Sequence, residues 1–396
     1  MKNGWAKKPI REVCEVVNGG TPKTKVADYW DGPHQWITPA EMGRRASPYV
    51  ERTERALSDS GLANCSARLL PPESVILSSR APIGHLVINV EPMAFNQGCK
   101  GLVPGQALDT KFLYHYLSSI IDLLNALGTG ATFKELSGGK LKEVPIPVPQ
   151  LPEQRRIVGI LDEAFAGIAT AKAHAEQNLQ NARALFESHL NAVFTQRDST
   201  HVEKRLADVC EKITVGHVGS MAKKYKPSGI PFLRSQNVRP FEISLENVVY
   251  IDEAFNKSLG KSQLKPGDVA VVRTGYPGTA AVIPETLPVS NCSDLVIVRP
   301  GPDADPHYLA VFFNSTTGKE MVAGRLVGAA QKHFNVTAAK RVEVSFPSVD
   351  EQRRIVAELR EFNVETQRLE SIYQRKLAAL DELKQSLLHR AFSGEL

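Results

Sequence analysis

The chain lacks the features that mark several common protein classes. No stretch approaches the roughly 18 consecutive apolar residues that a membrane span needs, although 42% of its 396 residues are hydrophobic. The N-terminal run MKNGWAKKPIREV has positive charge, but no apolar segment or small-residue cleavage site follows it, so no secretory signal is expected and the cytoplasm is the expected address. Its five cysteines, Cys14, Cys65, Cys99, Cys210 and Cys292, form no CxxC pair and no cluster with histidine. That spacing argues against both a zinc site and a disulfide framework, and all five read as small, mostly buried hydrophobes. The ten histidines show no metal-ligand spacing.

Motifs of catalysis are missing too. There is no glycine-rich loop ending in GK[ST], no HExxH and no GxSxG, nor the Asn/Asp-Pro-Pro-aromatic signature expected of an adenine methyltransferase. Two acidic groups, Asp303 with Asp305 and Asp381 with Glu382, look like fragments of nuclease signatures. The first lacks a following Glu-x-Lys and has the composition of a turn, and the second falls on a helical face. The chain is therefore expected to be no enzyme by itself and to bind no cofactor.

What the chain has is a repeat. EQRRIV at positions 153–158 returns unchanged at 351–356. Val13-Cys14-Glu15 answers Val209-Cys210-Glu211, Trp36-Ile37 answers Phe232-Leu233, Gly84 answers Gly278, and Asn96 is paired with Asn291. Gly130, Ala131 and Lys134 answer Gly328, Ala329 and Lys332, and Leu185, Ser188, Leu190 and Phe194 recur as Leu383, Ser386, Leu388 and Phe392. The whole chain reads as a tandem duplication, roughly 1–198 and 199–396.

Each half ends in a segment of helical period. From Pro152 to about Phe194 there is no internal proline, and the proline-rich run before it cannot be helical. Leu161, Phe165, Ile168, Ala175, Leu179, Ala182, Phe186 and Val193 form a heptad seam interrupted at Lys172 and His189. In the second half the seam is Ile355, Leu359, Phe362, Leu369, Tyr373, Leu380, Leu383 and Leu387, with Thr366 and Lys376 as polar members. Some 42 residues make a rod of about 60 Å, too long for a head of this size to bury. An antiparallel pair of rods with a head at either end is the economical arrangement. Docking of each rod on its own head, or on another chain, is the alternative.

The heads, 1–150 and 199–348, read as mixed α/β, with β-rich runs at 74–77, 86–90, 269–272 and 295–298 and helical stretches at 112–124 and 307–313. The expected fold is thus duplicated α/β (mixed α+β) domains joined by two long helices, 151–198 and 349–396, in an antiparallel coiled coil with an internal pseudo-two-fold.

Charge is distributed with the repeat. The net +5 comes from the heads, with 17 basic against 14 acidic groups in 1–151 and 18 against 15 in 198–349, while the rods are near neutral. Loops carrying Lys23, Arg80, Asn96, Gln97 and Lys134 in the first half, and Lys223, Lys224, Lys226, Gln236, Asn237, Arg273, Asn291 and Lys332 in the second, bring together side chains able to hold phosphates and read base edges. Turn formation and solvated charge would select many of the same residues.

The Gly-Gly-Thr-Pro-Lys loop at 19–23 after Trp5, the run Trp36-Ile37-Thr38-Pro39, the loop Ser-Arg-Ala-Pro-Ile-Gly at 79–84 and the stretch GATFKEL leading to VPIPVPQLPEQRRIV closely resemble the specificity subunit of type I restriction-modification systems. The repeat of that design, ending in HRAFSGEL, extends the resemblance over the whole chain. It implies two target-recognition domains, each reading half of a split double-stranded DNA target, with the helix pair as a ruler. It also implies partners: two modification subunits that use S-adenosylmethionine to methylate a flipped adenine, and restriction subunits that use ATP. The second half departs from the pattern, with Val215-Gly216-His217-Val218-Gly219 in place of the Gly-Gly-Thr-Pro loop and Arg273-Thr274-Gly275-Tyr276-Pro277-Gly278 in place of Arg-Ala-Pro-Ile-Gly. Two unlike half-sites are therefore expected. A coiled-coil adaptor with protein-binding heads, or a subunit of a methylation-only defence system, are the other readings open at this stage.

Overall fold

A computed structural model describes residues 5–130, 134–195, 201–221, 223–287, 289–324 and 333–396. No helix among them is long and apolar enough to cross a membrane. The chain divides into two compact units, 1–175 with 375–396, and 176–374. These units do not follow the linear division into heads and rods. Each takes one head, the first part of the helix that leaves it and the last part of the other helix, because apolar residues of both helices enter the core of each head.

In the first unit a five-stranded sheet runs in the order Cys14–Asn18, Cys99–Pro104, Val75–Ser79, Ile83–Asn89, Tyr49–Val50. Every residue of Val75–Ser79 is buried, as expected of a central strand covered on both faces. A second sheet of three strands, Ala56–Leu57, Trp30–Ile37 and Met93–Phe95, pairs the last two in parallel. Helix Thr110–Ser119 begins at Asp109, whose carboxylate accepts the Phe112 amide at 3.1 Å and so satisfies one of the first-turn donors.

The second unit repeats this design. Its main sheet is Cys210–Val215, Leu295–Pro300, Val269–Val272, Ala280–Val282. Its second sheet, also of four strands, again carries a parallel pair, Ile230–Leu233 with Ser290–Cys292. Asp305 caps helix Pro306–Asn314 through the amides of His307 and Tyr308. The acidic pair at 303 and 305 is therefore a turn and a cap.

The long helices span Leu151–Thr195 and Val349–Ser393. Within the first unit Arg156 donates to the Leu396 carbonyl at 2.8 Å, Lys384 lies 5.2 Å from the Phe165 ring, and Lys172 pairs with Asp381. Positions rise on one helix as they fall on the other, so the two segments run antiparallel. Within the second unit Arg183 pairs with Glu370 at 3.0 Å and Phe186 stacks on Phe362 at 6.4 Å. On the seam, Leu161, Ile168, Ala175, Ala182, Leu359 and Thr366 are buried, and Phe165, Leu179, Phe186, Val193, Ile355, Phe362, Tyr373, Leu380 and Leu387 are half-buried. Leu369 and Leu383 are exposed, contrary to the heptad reading. An α-helix of 3.6 residues per turn drifts away from a 3.5-residue repeat; next to Leu369 it is Glu370 that is turned toward Arg183, and beyond Leu383 the buried positions become Leu388 and Ala391.

The repeated hexapeptide has a structural reason. Gln154 and Gln352 are fully buried. Gln154 Oε1 accepts the Asp109 amide at 2.8 Å, and its Nε2 donates to the carbonyls of Ala107 at 2.9 Å and Pro149 at 2.8 Å. Gln352 does the same with the Asp305 amide at 2.8 Å and the carbonyls of Asp303 and Pro347, both at 3.0 Å. Each glutamine thereby ties three backbone segments together: the start of a long helix, the extended run before it and the capped helix of the head. The arginine two positions on pairs with the preceding glutamate in both copies.

The far end of the other helix docks in the same repeated manner. Phe392 packs edge-on against Phe112 at 5.1 Å and Tyr116 at 5.2 Å; Phe194 meets Tyr308 at 5.4 Å and Phe312 at 5.3 Å. Tyrosine and phenylalanine have exchanged places between the copies. The hydroxyl nevertheless reaches the corresponding carbonyl in each, Pro145 from Tyr116 and Ser345 from Tyr308.

Candidate nucleic-acid interface

In the first unit four loops meet beyond the strand ends. Gly19 stands where a Cβ would lie 2.1 Å from the Asn96 carbonyl, so only glycine permits this approach of two backbones. The Asn96 side chain then bonds the Thr21 hydroxyl at 3.0 Å and accepts the Gly98 amide at 2.8 Å. The Arg80 side chain runs beside Gly98 and faces Glu135 at 3.9 Å. Lys23, Gln97 and Lys134 are exposed on these same loops. Thus Lys23, Arg80, Gln97 and Lys134, separated by up to 111 positions in sequence, share one surface. Asn96 is the internal brace of that surface, since both ends of its amide are occupied.

The second unit builds its counterpart around the segment Ser293 to Leu295. The His217 amide donates to the Cys292 carbonyl at 2.7 Å, the Ser235 hydroxyl to the Asp294 carbonyl at 3.3 Å, and the Arg273 amide to the same carbonyl at 3.4 Å. Lys224 lies 4.9 Å from the Phe255 ring, itself in contact with His217, and Lys226 faces Asp252 at 3.7 Å. Lys223, Lys224, Lys226 and Gln236 are exposed, and Arg273 is half-buried with no hydrogen-bond partner for its Nε among the described residues. Lys332 lies outside the described residues.

Two candidates on this side are corrected. Asn237 is fully buried, accepting the Arg234 amide at 3.0 Å and donating to the carbonyls of Ser244 and Glu246. Asn291 is also fully buried, donating to Asn256 Oδ1 at 2.9 Å while its Oδ1 accepts the Cys292 amide. Both amides are spent on the fold, so neither can reach a ligand.

Strand register also corrects the pairing of the two halves. Phe95 sits opposite Ile37 and Cys292 opposite Leu233, so the residue after each, Asn96 and Ser293, are equivalent. The Asn96 amide donates to Ile37 and the Ser293 amide to Leu233, as this requires. Asn291 is two positions away. Ser79 and Arg273 likewise match, because the carbonyls of Gly98 and Asp294 accept their amides; Arg80 therefore corresponds to Thr274. One residue fewer separates Cys292 from Leu295 than Phe95 from Cys99. Strand ends coincide in the two units while the side chains on them differ.

Residues 2–181 match the family described as Type I restriction modification DNA specificity domain. Among similar proteins, the type I restriction enzyme MjaIX specificity subunit of Methanocaldococcus jannaschii is 30% identical over 250 residues, covering 59% of this chain and 58% of that protein. The type I restriction enzyme EcoKI specificity subunit of Escherichia coli K12 is 24% identical, covering 100% of this chain and 90% of that one. A solved chain from work on complex assembly and conformational transition of the type I R-M system aligns over 100% of this chain and 99% of its own, with a TM-score of 0.81 at 18% identity. At that identity the likeness shows the fold alone, in agreement with the duplicated mixed α/β heads and long helices seen here.

The cysteines take no part in the surface. Burial pushes the thiols of Cys14, Cys99 and Cys210 up to about 12, and that of Cys292 upward as well, all five cysteines being unpaired. Among the described residues no three His, Cys, Asp or Glu side chains are grouped to hold a metal ion.

Proposed function

We propose that this chain is the DNA-reading subunit of a type I restriction-modification complex, in which each head recognises one half of a bipartite target and the paired helices set the spacer between half-sites and dock the modification subunits. The observation that carries this reading is the duplicated head whose strand-end loops coincide in backbone register but differ in side chains. One scaffold displayed twice with unlike loops suits a target of two unlike halves. Lys23, Arg80, Gln97 and Lys134 are the proposed contacts of the first head, and Lys223, Lys224, Lys226, Gln236, Arg273 and Lys332 those of the second. Lysine and arginine follow phosphates, and the arginine and glutamine side chains can pair with guanine or adenine edges.

Methyl transfer to adenine and ATP-dependent cleavage are assigned to partner subunits, the chain itself supplying specificity. With a net charge of only +3 on each head, the phosphate contribution is modest, and binding by the chain alone is expected to weaken steeply as salt rises. The test is a head exchange: replacing residues 199–348 with the matching region of a relative of different specificity, in the complex with modification subunits. The methylated motif changes in one half-site and keeps the other. A change in both halves, or in neither, overturns the assignment of one head to one half-site.

A further inference from the structure

The second head differs from the first in one respect that bears on what it reads. Among the described residues, the two most exposed large apolar side chains of the chain are Tyr276, 85% exposed, and Val218, 67% exposed. Both lie on loops bonded to the same strand end. The loop of Val218 is fixed by the His217 amide on Cys292 and by the bridge from His217 to Ser293. The loop of Tyr276 is fixed by the Arg273 amide on Asp294 and closed by the Gly278 amide on Val272 at 3.0 Å. Gly275 and Gly278 take φ values of +85° and +95°, which glycine adopts without the cost other residues meet, so the turn presents Tyr276 on a closed backbone.

Register identifies the equivalents in the first head. The Gly20 amide donates to Phe95 as the His217 amide donates to Cys292, so Val218 answers Thr21, whose hydroxyl is held by Asn96. Leu86 opposite Leu77 answers Ala280 opposite Val271, which places Tyr276 at Pro82. At these two matched positions the second head has a branched aliphatic and an aromatic side chain, both open to solvent, beside Lys223, Lys224 and Arg273. A single exposed tyrosine is unremarkable on any surface; a pair on two loops anchored to one strand end, flanked by cations, has a different character. In the major groove the one apolar feature on a base edge is the C5-methyl group of thymine.

We infer that Tyr276, with Val218 beside its loop, is a specificity-determining residue of the second head that packs its ring on a thymine methyl in the second half-site. This rests on the DNA-reading function proposed above. The test uses the full chain in complex with its modification subunits and duplexes carrying its methylated target, with each thymine of the second half-site replaced in turn by uracil, which lacks only that methyl. One replacement weakens binding of the unaltered complex at least about five-fold. The Tyr276→Ala complex binds the thymine and uracil duplexes equally, while Tyr276→Phe keeps the preference, and recognition of the first half-site is unchanged in both. Uracil tolerated at every position, or a Tyr276→Phe complex as impaired as Tyr276→Ala, would overturn the inference, the latter pointing to a hydroxyl on phosphate. A complex that binds no duplex at all overturns the DNA-reading function itself and this inference with it.

Discussion

Replacing Gln154 by alanine tests the joint between head and helix most sharply. Its amide is fully buried and makes three hydrogen bonds, all to backbone: one from the Asp109 amide and two to the carbonyls of Ala107 and Pro149, at 2.8–2.9 Å. The variant leaves those three groups unpaired inside the protein. At about 1 kcal/mol for each buried neutral hydrogen bond the loss comes to about 3 kcal/mol, and to more where no water enters to replace the amide. For a compact unit of roughly 200 residues this lowers Tm by roughly 6–12 °C. Because Gln352 makes the same three contacts in the second unit, Gln352→Ala is expected to lower the transition of that unit by a similar amount. Gln154→Glu is expected to cost more than alanine, since it turns a buried carboxylate toward two carbonyl oxygens. Differential scanning calorimetry of the purified chain measures all three. A shift under about 1 °C for Gln154→Ala would refute the view that the repeated hexapeptide exists to tie helix to head.

Three further outcomes follow from the same structure. The imidazoles of His115 and His307 are held below their ordinary value of 6.5, in both cases chiefly by burial; Asp162, 2.9 Å from His115, opposes the shift there, and the Arg360 charge adds to it for His307. The unfolded chain therefore takes up protons first as pH falls below about 6.5, so both units lose stability from there toward the folded values; denaturant unfolding between pH 8 and 5.5 checks this, and unchanged stability would contradict it. Native protein treated with iodoacetamide at pH 8 is expected to label Cys65, which is half-buried, well before Cys14, Cys99 or Cys210, whose thiols are pushed up to about 12; peptide mass spectrometry reads the order. Deleting one heptad from each long helix at matched positions, about 10 Å of rod, is expected to change the permitted spacer and leave both half-sites intact, so altered half-sites with unchanged spacing would remove the helices from that role.

Much of this architecture was legible in the sequence because it is written twice. EQRRIV, the recurring Leu and Phe at 190 and 194 against 388 and 392, and the runs at 269–272 and 295–298 each mark a feature whose physical cause repeats: a buried glutamine, an aromatic docked on a capped helix, a central strand. The seam was readable where burial is continuous and misread at Leu369 and Leu383, where helical drift turns a polar neighbour or the next apolar residue inward. The loop surface was only partly readable. Composition singled out Asn237 and Asn291 along with Lys23 and Gln236, but asparagine serves turns and buried backbone as readily as base edges, and sequence alone carries no sign of which amide is already spent. Pairing Asn96 with Asn291 failed for a related reason, since two asparagines near one strand end match by residue type, while strand register makes Ser293 the equivalent of Asn96. The role of Gln154 had a signal in its repetition, but the three backbone partners that explain it are brought together only by the fold.

The measurement that tests the central claim most directly is a genome-wide map of adenine methylation, by single-molecule sequencing, in cells expressing this chain with its modification subunits. Two short, unlike half-sites at a fixed spacing are the predicted result, and they would identify what each head reads. Methylation at a single continuous motif, or none that depends on this chain, would contradict the account and move the heads from DNA to protein binding.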